Sequence, residues 1–282
     1  MNPIRPDERE ILIDALGVRT RVLDAGRGPV VVMLHGNPDN ADEWRPLIEQ
    51  LAPRHRCIAP DFPGYGRATL PTTFRYTLAE QVQFLDAVLD AMHIAEPFVL
   101  VVHDTGGMVG TAWAAANPQR LRGFMVTNTV AFERFPWFAV ARQWGNASWL
   151  GRARAALGMH ALGLQHGALF RRVFGRQSPQ LSSAELDRFA TSFALNPVAK
   201  RATLRQFRQF VPAAFFTGFD DMRQRLLAQV PCRVLWGDRD PYLPVRLAHD
   251  FGATQVTVLP QAGHWVPIVA AQELAAQIEA FR

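Results

Sequence analysis

One stretch constrains this chain more than any other: Phe98-Val-Leu-Val-Val-His103-Asp104-Thr105-Gly106-Gly107-Met108-Val109-Gly110. An apolar run of strand type stops at a polar pair, two glycines follow, and a helix-like run continues to Asn117-Pro118. That order spells a strand, a tight turn and a helix, the shape that lifts a nucleophile above the edge of a sheet. Glycines past the turn let the helix pack close to the strand. The residue at the tip is aspartate. A serine there would attack an acyl carbon. A carboxylate is suited to displacing a leaving group from a saturated carbon, which leaves an alkyl ester on Asp104 for water to cleave. The blander reading is an aspartate capping the helix that starts at Thr105.

The rest of the chain fits a sheet built around that unit. Residues 11–25 alternate as an antiparallel pair, and Val30–Leu34, Arg56–Pro60, Gly123–Thr127, Cys232–Trp236 and Gln255–Leu259 read as strands. Helical periods separate them, from about Ala41 to Leu51, Thr77 to His93, near Val245–Phe251, and from about Ala270 to Phe281. Strands alternating with helices predict an α/β class with a mostly parallel sheet covered on both faces. Residues 131–228 break the pattern: they lack strand signals, and Ser148–Leu164, Ala184–Ala194 and Val198–Phe210 have helical period. The expected organisation is a core of residues 1–130 and 229–282 with a helical cap at 131–228.

The formal charge of +5 is unevenly placed. Residues 131–228 hold 14 Lys+Arg against 5 Asp+Glu, a balance of +9, which leaves −4 elsewhere. No aromatic–basic interleaving accompanies it, so nucleic acid is not an expected partner. A basic segment can attract anionic substrates, although a solvated arginine-rich surface explains it as well. The expected partner is a small apolar or partly anionic molecule. Cys57 and Cys232 lie in strand-like runs as small hydrophobes, with no metal or disulfide pattern, and neither metal nor cofactor is expected. The polar first ten residues carry no signal core, and no run approaches the roughly 20 apolar residues that span a bilayer. The expectation is a soluble, cytoplasmic protein without membrane association.

Three residues that follow predicted strands supply a mechanism: Asp104, Asp240 and His264. In a parallel sheet such positions gather along one edge. His264 would activate water, and Asp240 would orient it and stabilise its charged form. Asp238 is a rival acid that falls closer to its strand, and Asn128 is an uncharged one. The N–H groups of Thr105 and Asn37 are expected to form the oxyanion hole. His35 is expected to brace the loop His35-Gly-Asn-Pro38, while His103, one step back along the strand, should point away from the site. All five serines (Ser148, Ser178, Ser182, Ser183, Ser192) lie in the cap segment and none sits in a Gly-x-Ser-x-Gly motif, which argues against a serine esterase.

These motifs resemble the α/β-hydrolase superfamily, in its haloalkane dehalogenase and epoxide hydrolase group. The matching stretches are His35-Gly-Asn-Pro38, Asp61-Phe-Pro-Gly-Tyr-Gly66, Val101-Val-His-Asp-Thr-Gly-Gly107, Asn128-Thr129, Trp236-Gly-Asp-Arg-Asp-Pro241 and Gly263-His-Trp265. The resemblance implies an α/β-hydrolase fold with an aspartate nucleophile. It also exposes departures. Dehalogenases carry a tryptophan after the nucleophile to hold the halide, where this chain has Thr105; Asn37 matches their second halide donor. Trp137, Trp144 or Trp149 could lean in from the cap instead. Epoxide hydrolases protonate the ring oxygen with cap tyrosines, but Tyr65, Tyr76 and Tyr242 all lie outside 131–228, which leaves His160 or His166 as candidate acids. Gly106-Gly-Met-Val-Gly110 and Asn128-Thr-Val-Ala-Phe132 also look like dehalogenase-like β-lactone decarboxylases. The leading expectation is a dehalogenase-like hydrolase, with an epoxide hydrolase next. A ligand-binding member whose catalysis has faded, and acyl chemistry by His264-activated water, remain open.

Overall fold

The structure, a computed structural model, describes residues 8–281. Eight strands form one sheet: β1 (Arg9–Ala15), β2 (Val18–Ala25), β3 (Val30–Leu34), β4 (Arg56–Pro60), β5 (Phe98–Asp104), β6 (Leu121–Thr129), β7 (Cys232–Gly237) and β8 (Gln255–Leu259). Their spatial order is β1-β2-β4-β3-β5-β6-β7-β8. β2 pairs antiparallel with β1 and β4, and every pairing from β4 through β8 is parallel. This is an α/β-hydrolase fold.

The helices are α1 (Arg45–Leu51), α2 (Leu78–Ala91), α3 (Gly106–Ala116), α4 (Ala139–Gly145), α5 (Trp149–Leu162), α6 (Leu164–Gln177), α7 (Ser183–Phe189), α8 (Pro197–Phe210), α9 (Phe219–Leu227), α10 (Arg246–Asp250), α11 (Val266–Val269) and α12 (Ala271–Glu279). Local signals set several ends. Thr77 caps α2 and Glu80 returns the bond, a reciprocal pair that satisfies two otherwise unpaired amides. Asn196 caps α8, with Pro197 in its first turn.

Strand period divides the core into two layers. Val31 and Met33 of β3 join one cluster with α1, α11 and α12, while Val32 and Leu34 join the other with α2, α3 and α9. β5 is buried on both faces from Phe98 through His103, as expected of a central parallel strand. Burial of each large apolar side chain contributes about 1.5–3 kcal/mol, so β5 is a rigid platform for what stands at its end.

Between β6 and β7 all regular structure is helical. The sequence spacing places the end of the cap near residue 228. In the structure α9 packs against α3 of the core, so the helices over the strand ends are α4–α8. The periodic segments Ser148–Leu164, Ala184–Ala194 and Val198–Phe210 correspond to α5, α7 with the turn after it, and α8, whereas α4 and α6 were not separated out by period.

Candidate active site

Asp104 ends β5 with φ 45°, a left-handed backbone that costs a non-glycine residue energy and persists only where surrounding contacts impose it. The contacts are present. Thr129 Oγ1 donates to the Asp104 carbonyl at 2.7 Å, and the Asn37 N–H donates to Asp104 Oδ1 at 2.8 Å. Gly36 is required beside it, because a Cβ at Gly36 would collide with the Asp104 side chain. Gly107 likewise leaves room for Thr129 Oγ1.

His264 Nε2 lies 3.8 Å from Asp104 Oδ2, and His264 Nδ1 lies 2.6 Å from Asp240 Oδ2. The first distance is too long for a hydrogen bond and the second is short and charge-assisted. Burial, the largest single influence, would raise the Asp240 carboxyl, but the neighbouring His264 and the hydrogen bonds from His264, the Tyr242 N–H and Asn128 together outweigh it, so the carboxyl is held below its usual range. Asp240 is therefore a permanent anion behind the imidazole. Asp238 is occupied elsewhere, accepting from the Gln261 N–H at 2.8 Å. Asn128 bonds Asp240 rather than His264: its Nδ2 donates to Asp240 Oδ2 at 2.6 Å, and its Oδ1 accepts from the Gly237 N–H at 3.0 Å.

These groups face a cavity of about 400 Å³ under the cap. Its lining includes Asn37, Asp104, Thr105, Trp137, Trp144 and His264. Among its lining residues the only ionisable carboxylate and imidazole are Asp104 and His264, and none of the cap arginines contributes. The other expected residues lie elsewhere. Trp149, His160 and His166 are exposed on the cap surface, because α5 turns the face that carries Trp149 and His160 outward. His166 sits in a left-handed turn with Gln165 and Gly167 at the start of α6. His35 is buried outside the lining; its Nδ1–H donates to the Gly36 carbonyl at 2.9 Å and its Nε2 accepts from the Phe62 N–H at 2.8 Å. Burial lowers its pKa, so it braces the loop as a neutral ring.

Sequence reasoning missed Tyr242, Gln143 and Gln177 in the lining. Tyr242 donates to Gln177 Oε1 at 2.8 Å. Its place two residues after Asp240 was the available signal. It also missed a polar chain behind Asn37. Tyr65 donates to Gln206 Oε1 at 2.6 Å, and Thr203 Oγ1 donates to Asn37 Oδ1 at 2.7 Å. Each hydroxyl has one proton, so this assignment uses both and fixes the Asn37 carbonyl away from Asp104, leaving its NH₂ for the cavity. His103 points away from the cavity, as alternation requires, yet its ring lies 4.7 Å from that of His264, and its Nε2 lies 3.0 Å from the His264 carbonyl.

A profile of the alpha/beta hydrolase fold family matches residues 29–271, and the chain belongs to that family. Two relatives are named cis-3-alkyl-4-alkyloxetan-2-one decarboxylase. The one from Shewanella oneidensis is 27% identical over 277 residues, covering 94% of this chain and 85% of its own. The one from Xanthomonas campestris is 38% identical over 151 residues, 48% of this chain and half the length of that relative. A haloalkane dehalogenase from Sphingobium indicum is 28% identical over 289 residues, covering 98% and 96%. Among solved structures, an epoxide hydrolase from Vigna radiata superposes with a TM-score of 0.76 at 20% identity, over 99% of both chains. The relatives are named enzymes, and this chain is an enzyme of the α/β-hydrolase superfamily, similar in sequence to haloalkane dehalogenases and sharing its fold with the epoxide hydrolase. Among the described residues no group of three or more His, Cys, Asp or Glu is placed to hold a metal ion, and no helix is long and apolar enough to cross a membrane.

Proposed function

We propose that the enzyme displaces a leaving group from an alkyl carbon of a small apolar substrate, forming a covalent ester on Asp104 that His264-activated water hydrolyses. Asp104 Oδ2 attacks the carbon from behind, and the bond to the leaving group breaks with its electron pair. The departing anion meets the Asn37 NH₂ and the Thr105 hydroxyl. His264 then takes a proton from water, whose oxygen adds to Asp104 Cγ. The oxyanion forms at Oδ1, where the Asn37 N–H already donates at 2.8 Å. Collapse releases the alcohol, which receives the proton from His264, and leaves one water oxygen in Asp104. Asp240 stabilises the imidazolium meanwhile.

The observation that carries this reading is the geometry of a carboxyl group in front of a braced imidazole: Asp104 Oδ2 at 3.8 Å from His264 Nε2, and Asp240 at 2.6 Å behind it. The leaving group in the leading version is a halide. The test is bromide release from 1-bromobutane, with intact-mass analysis. His264→Gln is expected to accumulate one butyl group on Asp104, and Asp104→Ala none. Bromide release unchanged in Asp104→Ala removes the mechanism. Diol formation from styrene oxide is the parallel assay for an epoxide, with Tyr242 as the phenol in the cavity.

The two decarboxylase-named relatives favour a second reading in which the substrate is a β-lactone. Asp104 opens the ring at its alkyl carbon, with the ring carboxylate as leaving group. Loss of CO₂ then sends the C–C electron pair into a new double bond and expels Asp104. No water is consumed. A single turnover in ¹⁸O water separates the two: label enters Asp104 on the hydrolytic route and stays out of it on the decarboxylating one. The hydrolytic version is dropped if cis-3,4-dialkyl-oxetan-2-one yields alkene in His264→Gln at the wild-type rate and no haloalkane reacts.

A further inference from the structure

The helix α5 is mounted with its large side chains outward. It buries Gly151, Ala155 and Met159, spaced four apart. At about 100° per residue the opposite side carries Leu150, Ala153 and Leu157, with Trp149 and His160 beside them. Trp149 is 80% exposed, Leu157 69% and Leu150 42%. Arg152 and Arg154 fall on the two flanks of this stripe. The stripe runs to the cavity: Val140 of α4 and Val173 of α6 are 45% and 43% exposed and also line it, as does the exposed Gly158. Several large exposed apolar side chains gathered on one helix face mark an interaction site.

We propose that this outer face of α5, with the residues around the cavity mouth, docks on an anionic lipid surface, from which an apolar substrate enters the cavity. The delivery half rests on the reaction proposed above; the docking half does not. Charge selects the occupant. Residues 139–177 contain six arginines and no Asp or Glu, so two such faces repel each other, whereas anionic headgroups complement them. Arg171 is already paired with Asp187 at 3.3 Å. Exposed apolar side chains flanked by arginines match a helix lying in the plane of a membrane interface.

The test uses the full chain with sucrose-loaded vesicles of phosphatidylcholine alone, or of phosphatidylcholine and phosphatidylglycerol in equal parts. The expected result is co-sedimentation with the second kind, reversed by salt. Leu157→Asp should abolish it. Arg152→Gln with Arg154→Gln should weaken it about 30-fold, at about fivefold per arginine. Far-UV circular dichroism checks that these exposed positions leave the fold intact. Turnover of 1-bromobutane in solution should be unchanged in every variant, while turnover of a long-chain bromoalkane dissolved in the vesicles should fall with binding. Equal binding to both vesicles, or undiminished binding by Leu157→Asp, overturns the proposal. So does a concentration-dependent dimer that Leu157→Asp dissociates, since that gives the face to a second copy. If 1-bromobutane is not turned over, the proposed reaction fails and sedimentation still decides the surface.

Discussion

Replacing Glu43 with glutamine should stabilise the protein, and increasingly so as pH rises. Glu43 lies in the short 3-10 turn Ala41–Trp44 and is fully buried. Its oxygens are 3.2 and 3.3 Å from His103 Nδ1. His103 Nε2 faces the His264 carbonyl at 3.0 Å, and a carbonyl only accepts, so Nε2 carries the hydrogen. Nδ1 of a neutral ring is then an acceptor and needs a donor. Protonated Glu43 supplies it. Burial raises the Glu43 carboxyl well above its ordinary 4.5, with Asp39 adding and Arg188 opposing, and burial lowers His103. Above pH 4.5 the unfolded chain releases this proton while the folded chain keeps it. The stability it contributes is therefore full below that pH and is lost as pH rises towards the raised folded value. The slope is at most about 1.4 kcal/mol per pH unit. Glutamine donates to Nδ1 without titrating, and His103 is common to both proteins. Urea unfolding at pH 5, 6 and 7 should show Glu43→Gln gaining on wild type by up to about 2.7 kcal/mol across those two units. Glu43→Leu leaves Nδ1 unpaired and should sit about 1–3 kcal/mol below Glu43→Gln at every pH. A stability difference between Glu43→Gln and wild type that is flat with pH, or a leucine variant as stable as the glutamine one, refutes the assigned protons.

Three further outcomes follow from the polar contacts. Asp240→Asn should lower kcat about 10⁴-fold, the scale known for amidating the acid of a triad, with turnover on whichever substrate the bromide and lactone assays select as the readout. Thr203→Val frees the Asn37 amide to rotate and should cost kcat about tenfold, below the 10²–10³ for losing an oxyanion donor outright; Thr203→Ser should restore it. Arg188 of α7 donates to both carboxylate oxygens of the buried Asp39, at 2.5 and 2.8 Å. Arg188→Leu strands that charge and should cost about 3–5 kcal/mol in chemical denaturation, most of it recovered when Asp39→Asn is added.

The strands and the three chain-distant groups Asp104, Asp240 and His264 were legible because each announces itself locally: an apolar run, a break, then a polar residue at the carboxyl end. The cap was not legible in the same way. Apolar period assigns the largest side chains of α5 to the inside, and there the assignment is inverted, since Gly151 and Ala155 let the helix approach its neighbours closely while Trp149, Leu150 and Leu157 face out. Small residues carry a weak hydrophobic signal but permit close packing, so a period-based reading weighs the wrong face. The polar contacts that finish the site were invisible for a different reason. Asn37 meets Thr203 and Tyr65, His103 meets Glu43, and Asp39 meets Arg188. None of these pairs shares an element or a spacing, and each joins only after the sheet order and the cap placement are set. The chemistry at the strand ends is therefore written in single residues, whereas its alignment depends on long-range pairs formed in the folded chain. A substitution in α7 or α8 can for that reason reach Asp104 without touching it.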